Sequence, residues 1–319
     1  MVAQNRIESA ALLAGAGPRY AEILLSALQQ GNVGDRLYTV SAEIVPDKPF
    51  AITAWSGSFA LRVLYDVLRR RGLSYGRKEG KPFIAEPVRV NGEVALTGVY
   101  LSTVSKPVPH PNLCWKEVEA GSLLSFTYHF ADTGLVRLFV EAFAEDPVVE
   151  EPACKLSLAS ISVVQRELPE PTPGGKLELF RVRFLTPTSF MFYGRDVLYP
   201  SPVRFMLSAL KSYSTATGVN TKRAVDGLVK TVEVIGAPRF KRFLVDIGEG
   251  RLVPAFTGEV TLALHASVDM PLLFAALKAA ELLGVGISRS LGFGRVRVEK
   301  LEEERERGGE SFAEKWNFI

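Results

Sequence analysis

Hydrophobic and polar positions alternate from Leu37 to Ile44. Tyr38, Val40, Ala42 and Ile44 lie on one side, Leu37, Thr39 and Ser41 on the other, and Pro46 ends the run. A period of two fits a pleated chain with one buried face and predicts a strand. The period then changes. In residues 56–71, Phe59, Val63 and Val67, joined by Leu64 and Leu68, recur at helical spacing and predict an amphipathic helix. Ser56 or Ser58 can cap its start, Arg69, Arg70 and Arg71 suit the negative end of its dipole, and Gly72 stops it. Strand-like runs follow at 83–90 and 94–103, joined through Asn91-Gly92, a pair that accepts the positive φ of a tight hairpin turn. A strand at 122–130, a short helix at 134–143 and an alternating strand at 154–166 complete the first half.

Pro169, Pro171, Pro173, Gly174 and Gly175 then punctuate the chain as a linker, and the order restarts. A strand at 177–185, a helix at 201–213, strands at 228–236 and 251–266, a helix at 270–283, a glycine-rich loop and a strand at 293–300 follow in turn. That order is β-α-β-β-α-β, the split βαβ unit. The first half reads in the same order with an inserted strand or two. The expectation is an α+β protein of tandem ferredoxin-like (RRM-like) domains, 37–168 and 177–300, joined by a linker at 169–176. Residues 1–36 read as a helical extension and 301–319 as a charged, frayed tail. The two halves share no strong sequence identity.

The 319 residues are 47% hydrophobic and 23% charged, the balance of an ordinary globular protein. No apolar run is long enough to span a bilayer, so no membrane association is expected. Residues 7–17 are apolar but interrupted by Glu8 and not led by a basic cluster, which argues against a signal peptide. Cys114 and Cys154 read as reduced core thiols of a cytoplasmic protein. His110, His129 and His265 make no metal-ligand spacing, and each reads as structural; no metal or other cofactor is expected. Net charge is only +3 but unevenly spread: residues 176–300 hold 18 basic against 10 acidic side chains, residues 1–175 hold 17 against 19, and the tail 3 against 6. A basic second half suits an anionic partner.

The loop from Gly284 to Arg295 carries the densest chemistry. Gly284, Gly286, Gly292 and Gly294 permit positive φ and close backbone approach, and successive N–H groups in such a loop can cradle an anion. Arg289, Arg295 and Arg297 add forked donors that match phosphate. Gly284, Gly286, Ser288, Ser290, Gly292, Phe293, Gly294 and Arg295 are therefore candidates to hold a nucleic-acid backbone, a simple corner being the alternative. The loop is neither a P-loop nor a dinucleotide fingerprint, because no Gly-Lys-Ser/Thr follows and glycine lies between helix and strand. Arg239-Phe240-Lys241-Arg242-Phe243 interleaves bases with aromatics between two strands, and Lys222-Arg223 lie in the preceding connection. Lys222, Arg223, Arg239, Lys241 and Arg242 are candidate phosphate contacts, a solvated hairpin tip being the alternative.

Several stretches together resemble the CRISPR-associated RAMP superfamily. They are Phe256-Thr257-Gly258-Glu259-Val260-Thr261, the helix at 270–283, and the glycine loop through Gly292-Phe293-Gly294-Arg295-Val296. The chain is most similar to the crRNA-processing endoribonuclease, the sixth Cas family. Phe184-Leu185-Thr186-Pro187-Thr188-Ser189-Phe190 resembles the first strand of that family's second domain, and residues 38–65 resemble its first strand and helix. The resemblance implies binding of CRISPR repeat RNA and metal-independent cleavage of the precursor transcript within repeats, by 2′-OH attack that leaves a 2′,3′-cyclic phosphate. It implies a centre between the first helix and the glycine loop, with Ser56, Ser58, Arg62 and Tyr65 opposite Arg289 and Ser290. Many members place a general-base histidine near that helix, and here none lies between Leu37 and Arg71. Two outcomes stand: catalysis by positioning and phosphorane stabilisation, or a non-catalytic RAMP subunit that holds crRNA in an interference complex with other Cas proteins. A metabolite-binding pair of ferredoxin-like domains leaves the arginines unexplained. Monomer and homodimer are both compatible with the sequence.

Overall fold

The computed structural model describes residues 36–75, 81–101, 106–168, 177–197, 201–225, 228–265 and 270–301. The expected N-terminal extension, linker and charged tail lie outside the described residues, apart from Arg36 and Leu301 at their margins. In chain order the elements are β1 (Arg36–Pro46), β2 (Phe50–Ile52), α1 (Ser56–Arg69), β3 (Phe83–Ala85), β4 (Arg89–Val90), β5 (Glu93–Val94), β6 (Val99–Leu101), β7 (Val108–Pro109), β8 (Lys116–Val118), β9 (Leu124–Phe130), α2 (Thr133–Glu145), β10 (Val148–Glu150) and β11 (Lys155–Glu167). The second half holds β12 (Leu177–Thr188), β13 (Phe190–Phe192), β14 (Arg195–Val197), α3 (Pro202–Thr217), α4 (Lys222–Val225), α5 (Leu228–Thr231), β15 (Val232–Asp246), β16 (Leu252–His265), α6 (Met270–Leu283) and β17 (Val296–Leu301).

The architecture is α+β with tandem ferredoxin-like units, each an antiparallel sheet backed by helices. One sheet runs β10-β11-β1-β9-β4-β5, with β3 also on β9; the other runs β17-β12-β16-β15-β6-β7. β1 sits between β11 and β9, so Val40, Ala42 and Ile44 all turn to the core, as the alternation requires. Phe59, Val63, Leu64 and Val67 of α1 and Phe139 and Phe143 of α2 cover that face, closing on Phe126, Tyr128 and Phe130. In the second unit Phe180, Val182 and Phe184 of β12 meet Phe205, Met206 and Leu210 of α3 and Leu273 and Leu277 of α6.

The starts of α2 and α3 follow local capping chemistry, and that of α1 does not. Asp132 accepts from the N–H groups of Gly134 and Leu135, and Ser201 accepts from Arg204 N–H with Pro202 at the first helical position. The start of α1 has no side-chain cap: Trp55 takes that position, and the Ser56 hydroxyl is buried and donates to Ala95 O. Ser56 and Ser58 as caps are thereby corrected.

Three further departures are tertiary. Asn91 and Gly92 do turn with positive φ (50° and 86°), but the run at 94–103 breaks. β5 closes the hairpin, and β6 crosses to the second sheet, where Tyr100 and Val99 pair Leu244 and Val245 of β15. The strand expected at 228–236 begins as the short helix α5 and continues as β15 to Asp246. Arg239, Lys241 and Arg242 therefore lie within a strand, and the hairpin tip is at 247–251. The β13–β14 hairpin was not foreseen.

Candidate nucleic-acid interface

Leaving α6, the chain enters the glycine loop, a 3₁₀ turn at Arg289–Leu291 and then β17. The loop is stitched to the body of the molecule. N–H groups of Val285, Ile287 and Gly294 donate to Gly294 O, Ser189 O and Pro187 O, each at 2.9 Å. Those of Gly286 and Arg295 donate to Ser208 Oγ (2.7 Å) and Thr186 Oγ1 (3.0 Å). A Cβ on Gly294, which has φ +74°, would overlap Val285 O, and one on Gly292 would stand 2.5 Å from Ala85 O in the other unit. With the N–H groups of Gly284, Leu291 and Gly292 bonded to Ala280 O, Ser288 O and Arg289 O, eight of the loop's donors bond within the protein, so the expectation of a cradle of free N–H groups is corrected to this extent, and the glycines admit neighbouring backbone. Gly284, Gly292 and Gly294 are buried, and Gly286, Ser288 and Ser290 are partly exposed.

The loop is also where the two units meet. Trp55 Nε1–H donates to Leu291 O (2.6 Å), and the buried Trp55 ring meets the Phe293 ring edge-on at 5.6 Å. Phe293 is fully buried in this seam with Val245, Val253 and Ala255, which removes it from the candidate RNA contacts. Beside the seam lies a polar clasp. Arg295 reaches across to Glu86 (2.8 Å) and also donates to Leu282 O. Glu86 accepts from His129 Nε2 at 2.7 Å, and His129 Nδ1 takes the Thr39 hydroxyl at 3.0 Å. This pairing makes His129 the neutral Nε2–H tautomer. Burial alone would raise the Glu86 pKa, but the His129 hydrogen bond and the Arg295 charge outweigh it and hold it at about 2. Burial lowers the His129 pKa, with Glu86 opposing and Arg295 assisting. Arg295 is thus mostly occupied in holding the units together.

A cleft of about 860 Å³ opens beside the outward face of α1. Ser58, Arg62 and Tyr65 of α1, Glu151 and Cys154 before β11, Arg251 in the β15–β16 turn, and Leu291 of the loop line it. Ser58 Oγ is buried with no hydrogen-bond partner. Arg62 pairs with Glu151 (2.8 Å) and lies over the Phe59 ring at 5.2 Å, while the Lys81 ammonium lies 5.0 Å from the Tyr65 ring centroid. Of the expected centre, Ser58, Arg62 and Tyr65 come together; Ser56 is buried away from it, and Arg289 is not part of its wall. The Arg289 guanidinium turns to α3 and donates to Ser212 Oγ at 2.6 Å, and its burial lowers its pKa. Its placement opposite α1 is corrected for that reason. Arg251 and Glu151 escaped sequence reasoning, because only tertiary pairing brings two hairpin connections to one cleft.

On β15, Arg239, Lys241 and Arg242 are exposed, and Arg239 has only a long contact to Glu259 (3.8 Å). Strand geometry points Arg239 and Lys241 to one face and Arg242 to the other. Phe240 packs 4.9 Å from Phe256, fixing the strand beneath these cations. Lys222 is exposed on α4; the Arg223 side chain lies outside the described residues.

The two ferredoxin-like units thus meet at a glycine loop docked in their seam. Residues 182–296 match the family model of the CRISPR-associated endoribonuclease Cas6. Over 128 residues the chain is 34% identical to the CRISPR-associated endoribonuclease Cas6 of two strains of Mycobacterium tuberculosis, covering 38% of this chain and 39% of each relative. The matched stretch thus spans about two fifths of the length of these curated relatives. In fold the chain resembles a Thermus thermophilus Cas6 solved as a product complex, with TM-score 0.58 and 20% identity, covering 83% of this chain and 100% of that one. A second Cas6, solved with a substrate mimic, gives TM-score 0.52 at 16% identity, covering 83% of this chain and 100% of that one. The proteins this chain is similar to are Cas6 endoribonucleases.

Proposed function

We propose that this protein binds CRISPR repeat RNA and cuts the precursor transcript within its repeats to release crRNA. The observation that carries this reading is the docking of the loop onto α1: the Cas6-like stretch 182–296 supplies Leu291 to one wall of the cleft, and α1 supplies Ser58, Arg62 and Tyr65 to another. The RNA would run from that cleft across the exposed cations of β15, with Lys222, Arg223 and the partly exposed Gly286, Ser288 and Ser290 as further contacts. Its free cysteines, Cys114 and Cys154, suit a cytoplasmic protein.

The chemistry requires the ribose 2′-oxygen to bond to phosphorus as the P–O5′ bond breaks. The 2′ proton leaves, the 5′ oxygen gains one, and a cyclic phosphate remains. None of the three histidines lines the cleft. A rotamer change that turns the enclosed Ser58 Oγ out to the cleft lets it accept from the 2′-OH and orient it, water can take the proton, and Arg62 and Arg251 can stabilise the charge growing on the phosphorane. Arginine itself stays protonated and is no base. The test is incubation of labelled repeat RNA in EDTA. Cleavage giving a cyclic phosphate is expected; an intact 2′-deoxy substrate at the scissile position should bind and survive. Ser58→Ala should slow cleavage by ~10²-fold with little loss of affinity, the cost of one preorganised polar group. Cleavage of the deoxy RNA, or loss of activity in EDTA, would refute the mechanism. Binding without cleavage would favour the crRNA-holding subunit, a reading motivated by a cleft whose wall contains no histidine.

A further inference from the structure

We propose that the β13–β14 hairpin is a stacking platform for single-stranded RNA flanking the repeat stem, separate from the cleft beside α1. The inference rests on the reading of the protein as RNA-binding.

The root of the hairpin is fixed. Phe190 is buried and lies nearly parallel to Phe256, at 6.4 Å and 17°. Beyond it the side chains turn outward: Met191 is 52% exposed, Phe192 53% and Tyr193 90%. Phe192 and Tyr193 touch each other at 4.4 Å. Water contact on this much aromatic surface is unfavourable, and such patches mark binding sites. Tyr193 also holds φ +47° at the turn, a sparsely populated conformation for a bulky residue, so the fold presents this ring at some conformational cost.

Charge selects the occupant. The Arg204 guanidinium lies 4.5 Å from the Phe192 ring centroid, and Arg195 is exposed on β14. The hairpin's carboxylate, Asp196, stands opposite Met191, between Arg195 and the Phe190–Val197 pair at the base, and its Oδ1 is 3.5 Å from Ser189 Oγ. Aromatic faces beside arginine planes are what unpaired bases and their phosphates require, because every base has a π-face and every linkage a negative charge. A protein partner covering the same patch would have to desolvate Arg204 and supply its counter-charge. Position agrees: Ser189, next to the hairpin, accepts the Ile287 N–H of the glycine loop, so RNA passing the loop lies close to the platform.

Anisotropy titrations of the full chain with a bare repeat stem-loop, and with the same stem-loop carrying a single-stranded oligouridine extension on either side, test this. An extension should tighten wild-type binding by roughly 5- to 150-fold per stacked base. Phe192→Ala/Tyr193→Ala should lose that gain while keeping the affinity for the bare stem, and Tyr193→Trp should retain it. A double variant that keeps the gain, or a wild type that shows none while binding the stem, would overturn the platform and leave the proposed function standing. Wild-type protein that binds neither RNA would overturn both. Sedimentation of wild type and double variant covers the other occupant: loss of a dimer with unchanged RNA affinity would make the hairpin a contact between copies and overturn the RNA assignment.

Discussion

Glu86 ties the two units together. Its carboxylate meets His129 from its own unit and Arg295 from the other, and its pKa falls from 4.5 to about 2. A depressed acid stabilises the fold above its unfolded pKa and loses that contribution as pH drops through the folded value. His129, pushed below 6.5 by burial, acts with the same sign: the unfolded chain takes up its proton first as pH falls. Stability should therefore decline in two stages, first below about pH 6.5 and then from about pH 4.5 toward 2. Shifts of this size correspond to about 3 kcal/mol for Glu86. Denaturant unfolding of the wild type and Glu86→Gln across pH 3 to 8 checks it. The variant should be weaker at pH 7, with Arg295 left buried beside a neutral partner, and should lack the lower stage. Parallel curves for the two proteins would show that the clasp contributes little.

At the level of elements, the glycine loop is a joint. The Gly294 φ of +74° and the contact a Cβ would make with Val285 O give Gly294→Val a cost in folding, expected to be at least ~2 kcal/mol and visible in thermal melts before any RNA is added. A variant that melts like the wild type yet loses RNA would restore the loop to a direct binding role. The loop shows where sequence reading succeeds and stops. Four glycines and three arginines announced an unusual turn, but composition could not say whether its N–H groups face solvent or Ser189 O. Alternation in β1 and periodicity in α1 were legible because a single face of each is buried. The run at 94–103 was misread because β6 pairs with β15, more than a hundred residues later. Sequence reading ends a strand at 236 and places Arg239, Lys241 and Arg242 between two strands, whereas β15 runs on through them with a register shift between Ile235 and Arg239. Ser58 and Tyr65 could be named as cleft residues from the resemblance alone; Arg251 and Glu151 needed the fold.

For the whole molecule the decisive property is where charge is left free. Of the second half's arginines, Arg295 is tied to Glu86 and Leu282 O, Arg289 to Ser212, and Arg183 is shared between Glu259 and Glu299. Arg239, Lys241 and Arg242 remain exposed along one strand whose register on β16 is fixed over Arg239–Asp246. Arg239 and Lys241 on one face and Arg242 on the other each release a counterion condensed on the RNA when they neutralise a phosphate, so the logarithm of the repeat-RNA affinity should fall linearly with the logarithm of salt. Each cation that touches a phosphate contributes roughly 0.7–0.9 to the slope. Replacing Arg239, Lys241 and Arg242 together by Ala should weaken binding and reduce the slope by about 2 to 3 if all three make contact. The three side chains are exposed, so the melting temperature should barely move, which separates lost contact from lost fold. An unchanged slope in the triple variant would move the RNA path off β15, toward Lys222 and the partly exposed side of the loop. Affinity that ignores salt in the wild type would remove the electrostatic case for RNA altogether.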